Sequence, residues 1–199
     1  MTYSTVTEAI TTDHREILGY YDEYIRAKEA GDADAQARWV RQFTWELARH
    51  SAGEEIVVYP LFEKYLGAKG KQMADEDRAE HLKVKELLYQ LENFDAGTAT
   101  YHDTLSKLMT NLKPHIEGEE ANDLPALEPH LGADGSKKAA ASFKRTKKLV
   151  PTRPHPSAPD KPPFETLAGL LAAPMDKIKD IFAKFPTDEM EEEAATRGH

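Results

Sequence analysis

Residues 50–66 read HSAGEEIVVYPLFEKYL and residues 115–131 read HIEGEEANDLPALEPHL, two stretches written to one pattern. Each opens His-x-x-Gly-Glu-Glu, runs on for four residues to Pro, and then places Glu and Leu at further steps of three. The surrounding residues recur at helical spacing, yet each stretch holds a Gly and a Pro, which a helix interior tolerates poorly. In a helix, His50 and Glu54 lie four residues apart on one face, as do His115 and Glu119.

Working outward from these stretches, the apolar period stays helical up to about residue 130, and breakers cut it three times. Gly31-Asp32 forms the first break, residues 67–70 the second and residues 93–98 the third. Helices are expected near 4–29, 33–66, 71–93 and 98–122. No β-alternating run of useful length occurs. Short connections make sequential helices antiparallel neighbours, so the expected fold is all-α, an antiparallel up-down-up-down four-helix bundle with a C-terminal extension.

Each expected helix carries a histidine on its own apolar seam. His14 lies between Ile10 and Ile17, His50 follows Leu47, His81 precedes Val84, and His115 follows Leu112. Glu54 and Glu119 follow on the same seams. A lone histidine on such a face is ordinarily a hydrogen-bonded core residue. Four imidazoles and two carboxylates in one low-dielectric core are different, because each unpaired charge there costs several kcal/mol. A cation removes the cost, and no Lys or Arg lies on the seams to substitute for it. The candidate metal ligands are therefore His14, His50, Glu54, His81, His115 and Glu119. Four nitrogens and two bidentate carboxylates supply about eight bonds, too many for one tetrahedral ion and suited to two ions bridged by carboxylates. Ligation by N and O without sulfur suits iron or manganese, with zinc as competitor. Asp77 lies one turn before His81 on the same seam, and is expected to ligate a metal or to hydrogen-bond a metal-bound water. Tyr20, Tyr21 and Tyr59 lie close in sequence to the candidate ligands, where tyrosines can relay electrons, but they are expected as packing residues.

These residues make the chain resemble the hemerythrin-like, or HHE cation-binding, family over roughly residues 5–130. The markers are Asp13-His14, His50-x-x-x-Glu54-Glu55, Glu80-His81 and His115-x-x-x-Glu119-Glu120. The resemblance implies a four-helix bundle that holds a non-haem di-iron centre with the six ligands above and binds O2 or a related small molecule. Oxygen-carrying members have a further histidine where this chain has Asp77, and a carboxylate there makes the iron harder and less like the carrier site. Glu55 and Glu120 are expected outside the direct ligand set. Three functions follow as alternatives: a protein that binds or senses O2, NO or iron, an oxidase- or peroxidase-type enzyme, and an interaction protein stapled by its metal.

The rest of the sequence bounds these readings. The net charge of −9 over 199 residues argues against nucleic acid as a partner. The absence of cysteine excludes disulfides, thiolate catalysis and iron–sulfur clusters. The N-terminus lacks a basic and then apolar leader, and no apolar run reaches the roughly 20 residues of a transmembrane helix. A cytoplasmic location is expected; the sequence does not indicate an oligomeric state. Residues 1–133 are expected to form the hemerythrin-like metal-binding domain. A basic, Pro-rich linker is expected over 134–163, short amphipathic helices packing on the bundle over 164–186, and an acidic disordered tail over 187–199.

Overall fold

The first bundle helix, α1 (Val6–Glu29), starts at Thr5, whose side chain accepts the amide of Glu8. The structure is a computed structural model that describes residues 3–157 and 164–197. After a turn through Gly31, α2 (Ala33–Gly53) starts at Asp32, which caps the amide of Ala35. A π-helical turn over Glu54–Val58 joins α2 to α3 (Tyr59–Leu91). Following α4 (Ala99–Gly118), a second such turn over Glu119–Asp123 leads into α5 (Leu124–Thr146).

The two π turns explain the repeated prolines. Pro has no N–H, and its ring clashes with the carbonyl four residues back, so α-helical pairing fails at Pro60 and Pro125. The chain widens by one residue there. The amide of Tyr59 donates to the carbonyl of Glu54, five residues back, and that of Leu124 donates to Glu119. The helices run on instead of stopping. Pro114 sits inside α4 without breaking it.

Gly67 turns the chain back within α3, at φ 60° and ψ −131°. Beyond it, the backbone of Gly70 comes so close to the other limb that a Cβ would stand 1.9 Å from the carbonyl oxygen of Phe62. Gly132, at φ 62°, breaks α5 in the same way. The four bundle helices are therefore α1, α2 prolonged to residue 66, the 68–91 limb of α3, and α4 prolonged to residue 131. Up-down-up-down order shows in what each helix buries. One apolar cluster holds Ile17, Phe43, Leu47, Val84, Leu88, Leu108 and Leu112, and a second holds Val6, Ile10, Val58, Phe62, Ala74, Leu124 and Phe143. His14, His50, His81 and His115 form the layer between. Running along the chain, α1 and the 68–91 limb cross from the second cluster to the first, while α2 and α4 cross the opposite way.

The extension differs from its expectation. The first part of the stretch expected as linker, up to residue 146, is helical, and it lies on the bundle. Ser136, Ala139, Ala140 and Phe143 are buried at helical spacing, while Lys137, Lys138, Lys144 and Arg145 face water. The basic composition marks the outer face of a helix. Ser136 Oγ accepts the amide of Val6 at 2.7 Å. Gly53 leaves room for this helix, since a Cβ there would lie 2.7 Å from Phe143 Cε2; its repeat partner Gly118 faces open space. Residues 158–163 of the expected linker lie outside the described residues. A single helix, α6 (Phe164–Ile181), runs through Pro174 where two short ones were expected. Its Met175, Ile178 and Ile181 are largely exposed, while Ala173 is buried and Phe185, beyond the helix, meets Trp45 of the bundle, edge-on at 6.2 Å. In place of the disordered tail, α7 (Asp188–Arg197) buries Ala194, packs Met190 against the first cluster and pairs Arg197 with the buried Glu23 at 3.0 Å.

Phe143→Ala should cost about 3–5 kcal/mol in urea denaturation, because it empties a fully buried site. Leu149→Ala, at an exposed position, should stay within about 0.5 kcal/mol. Truncation after residue 135 keeps every candidate ligand, yet it should cost more than Phe143→Ala alone. A truncated chain as stable as the whole would show that the fifth helical segment contributes nothing.

Candidate metal centre

The histidine layer brings together all six residues of the expected ligand set. His14 and His50 converge on Glu54 and Glu119 from one hairpin, and His81 and His115 converge on the same two carboxylates from the other. His50 Nε2 lies 3.1 Å from Glu54 Oε2, and His81 Nε2 lies 3.5 Å from that same oxygen. His14 Nε2 stands 3.4 Å from Glu119 Oε2, and His115 Nε2 stands 3.6 Å from Glu119 Oε1. The result is two groups of four donors that share two carboxylates.

Each imidazole is aimed by a carboxylate on its other nitrogen. The Nδ1 atoms lie 2.8 Å from Glu120 for His14, 3.3 Å from Asp13 for His50, 2.9 Å from Glu55 for His81 and 2.9 Å from Glu80 for His115. Donation of each Nδ1–H outward leaves four Nε2 lone pairs pointing inward, the arrangement that fixes the tautomer of metal-binding histidines. Each half has one outer carboxylate open to solvent, the exposed Glu120 or the half-buried Glu80, and one buried, Asp13 or Glu55. A lysine neutralises each buried one. Lys85, from the bundle, sits 2.6 Å from Glu55. Lys147, from the extension, joins Asp13 to Glu46. Phe143 closes the same side, its ring edge-on to His50 at 5.8 Å.

The donor chemistry fits a cation. His14 Nε2, both oxygens of Glu54 and Glu119 Oε2 are buried without a hydrogen-bond partner, which proteins rarely leave so. Without a cation, protons must balance the charge. Burial, reinforced by Glu119, pushes the Glu54 carboxyl well above its ordinary range. Burial also works against ionisation of Glu119, but His115 and His14 outweigh it and hold that carboxyl low. The touching pair His81 and His115, with Nε2 atoms 3.0 Å apart, divides its protons. Burial pushes His81 down to about 4. For His115 burial is overcome, chiefly by Glu119 and Glu80, and the ring is raised to about 10. Glu55 is held at about 2 because Lys85 and His81 outweigh its burial.

Asp77 does not join either four-donor group. It clusters with Glu80 around the outward nitrogen of His115, 3.9 Å from Nδ1, with Oδ2 buried and unpartnered. Burial and Glu119 raise its carboxyl to about 8. Conversely, Tyr59 belongs to the centre. Its hydroxyl donates to Glu119 Oε1 at 3.2 Å and lies 3.1 Å from His81 Nε2, and burial pushes it far above the usual phenol range. An unbroken helix from Glu54 would bury Val57 and Leu61. The extra residue of the π turn buries Val58, Tyr59 and Phe62 instead. Pro60 was the sequence signal for this change of phase. The corresponding residue of the second turn is Leu124, so only one half of the centre gains a phenol. Tyr20 and Tyr21 pack in the first apolar cluster.

With this geometry in hand, comparison with known proteins gives the class. Residues 5–127 match the hemerythrin HHE cation-binding domain, and the chain belongs to that family. It is also similar to an uncharacterized hemerythrin-like protein of Schizosaccharomyces pombe, 53% identical over 181 residues, covering 91% of this chain and 88% of that protein. No solved structure matches.

The outer carboxylates should matter to cation binding although none is placed inward. Glu55→Gln and Glu80→Gln should each weaken metal affinity on the order of 10–100-fold in chelator competition. Unchanged affinity in both would mean that the imidazoles are held by packing alone.

Proposed function

We propose that the protein is a non-haem di-iron protein that binds or senses O2, NO or iron through a carboxylate-bridged His/Glu centre. The observation that carries this reading is the sharing of Glu54 and Glu119, with buried unpartnered oxygens, between two histidine pairs. In this reading His14 and His50 would hold one ion and His81 and His115 the other, with Glu54 and Glu119 available to both. The bound pair would supply a redox-active position for a small diatomic ligand. Mixed N/O donors without sulfur favour iron or manganese over metals that seek thiolate. The protein's own residues hold the imidazole tautomers, keep bulk water from the Glu54 carboxylate and set the local charge. Asp77 acts through His115, not as a ligand.

One observation favours an oxidase- or peroxidase-type enzyme as a second reading. The Tyr59 hydroxyl is the one phenol placed against the inner donors among the described residues, and a phenol there can release a proton and an electron. Tyr59→Phe separates the two readings. Loss of peroxide-dependent turnover at unchanged metal content would favour the enzyme, and an unchanged adduct with O2 or NO would favour the binding protein.

Reconstitution with ferrous iron under anaerobic conditions should give about two ions per chain by elemental analysis. Glu54→Ala and His50→Ala should lower that number, whereas Asp77→Ala and the exposed His130→Ala should not. His50→Ala should also lower the melting temperature of the metal-loaded protein more than that of the metal-free protein, since binding to the folded state is stability. One tightly bound ion, or equal melting shifts for His50→Ala and His130→Ala, would overturn the dinuclear reading.

A further inference from the structure

The end of α6 turns an apolar strip away from the protein. Met175, Ile178, Ile181 and, just past the helix, Phe182 are 58%, 53%, 77% and 84% exposed. Steps of three and four place them on one side. Four large apolar side chains in one exposed row are more than isolated surface residues require, and such a patch marks an interaction surface.

The charges around the strip specify the partner. Both acids of this part of α6 point inward and are paired. Asp176 is buried against His155, at 2.8 Å, and Asp180 accepts from Thr152 at 2.6 Å and Arg153 at 3.3 Å. Lys177 and Lys179 are both exposed and flank the strip, and Lys184, also exposed, pairs with Asp34 at 3.2 Å. Lys177 also reaches the carbonyl of Lys148, just past the end of α5, which brings the exposed Lys148 close to this helix. The chain carries a net charge of −9, yet this face presents lysines around apolar residues. An apolar face bordered by outward cations, on a helix lying along the surface, is the pattern of a helix that lies in the headgroup boundary of an anionic bilayer.

We propose that the outer face of α6 docks the protein on anionic phospholipid surfaces, with Met175, Ile178, Ile181 and Phe182 entering the acyl boundary and the flanking lysines meeting the headgroups. The helix lies on the surface and does not span it; no described helix is long and apolar enough to cross a membrane.

The test is sedimentation of the full, metal-loaded chain with vesicles of phosphatidylcholine alone and of phosphatidylcholine with roughly 30% phosphatidylserine. Binding to the anionic vesicles should be tighter by about tenfold or more, and should fall when salt is raised to about 0.5 M. The double variant Ile178→Asp, Phe182→Asp should lose that binding by at least about tenfold, while its helical content and bound metal stay as in the parent. Lys177→Glu with Lys179→Glu should remove the preference for anionic vesicles, again at unchanged metal content. Equal binding to neutral vesicles, or none to either, overturns the proposal. So does a concentration-dependent dimer in sedimentation velocity that the double apolar variant abolishes, because the strip would then be covered by a second copy.

Discussion

Two carboxylates, Glu54 and Glu119, lie at the centre of a bundle whose remaining layers are apolar, and neither reaches water. Two like charges so close and so deep repel each other and lose their hydration. Such groups persist only where a cation, or protons in its place, balances them. Much of the structure is arranged around that balance. Four helices each bring one imidazole to the layer, and outer carboxylates aim the rings. Burial pushes the Glu54 carboxyl up, and Glu119 and Glu80 raise His115 against the burial of its ring, so the layer favours positive charge.

The same balance is repeated one shell out by different means. Glu55 and Asp13 are buried behind His81 and His50, and each needs a cation of its own. The bundle provides Lys85 for the first. The second is met by Lys147, at the end of the helical segment that follows Gly132. Phe143 on that segment covers His50, and Gly53 is small enough to admit it. The extension therefore completes one half of the centre electrostatically and sterically. That is why the two halves of a repeated sequence carry glycine for different reasons: Gly53 accommodates an aromatic ring, whereas a side chain at Gly118 would meet nothing.

Symmetry fails at a second place, with a chemical consequence. Both π turns begin at a glutamate shared by the two donor groups and bury the residue five positions on, but that residue is Tyr59 in one and Leu124 in the other. A buried phenol beside His81 and Glu119 makes the centre's two ends unequal in hydrogen-bonding groups. Arg78 lies over the Tyr59 ring at 5.5 Å and pairs with Glu63, so the phenol is held in place from behind. Asp77 contributes to the same inequality from the outward side of His115.

The helical period, the breakers at Gly31, Gly67 and Asn93, and the four histidines with Glu54 and Glu119 were legible in the sequence. Each is a local or periodic property: an i,i+4 pair shares a face in any helix, and a histidine on an apolar seam must enter the core. The period itself changed at the π turns, so a strict 3.6 repeat led to Val57 and Leu61 instead of Val58, Tyr59 and Phe62. Pro60 signalled a disturbance there but not its direction, because a proline can stop, kink or widen a helix. Pairing over long separations was not legible. That Lys147 neutralises Asp13, that Phe143 covers His50, and that Asp77 faces the outer nitrogen of His115 are decided by which surfaces meet in three dimensions. A run of lysines reads as a solvated linker until the buried Ser136, Ala139, Ala140 and Phe143 beneath it have a surface to pack on. Sequence spacing determined which residues share a face; only the packed bundle decided what each face confronts.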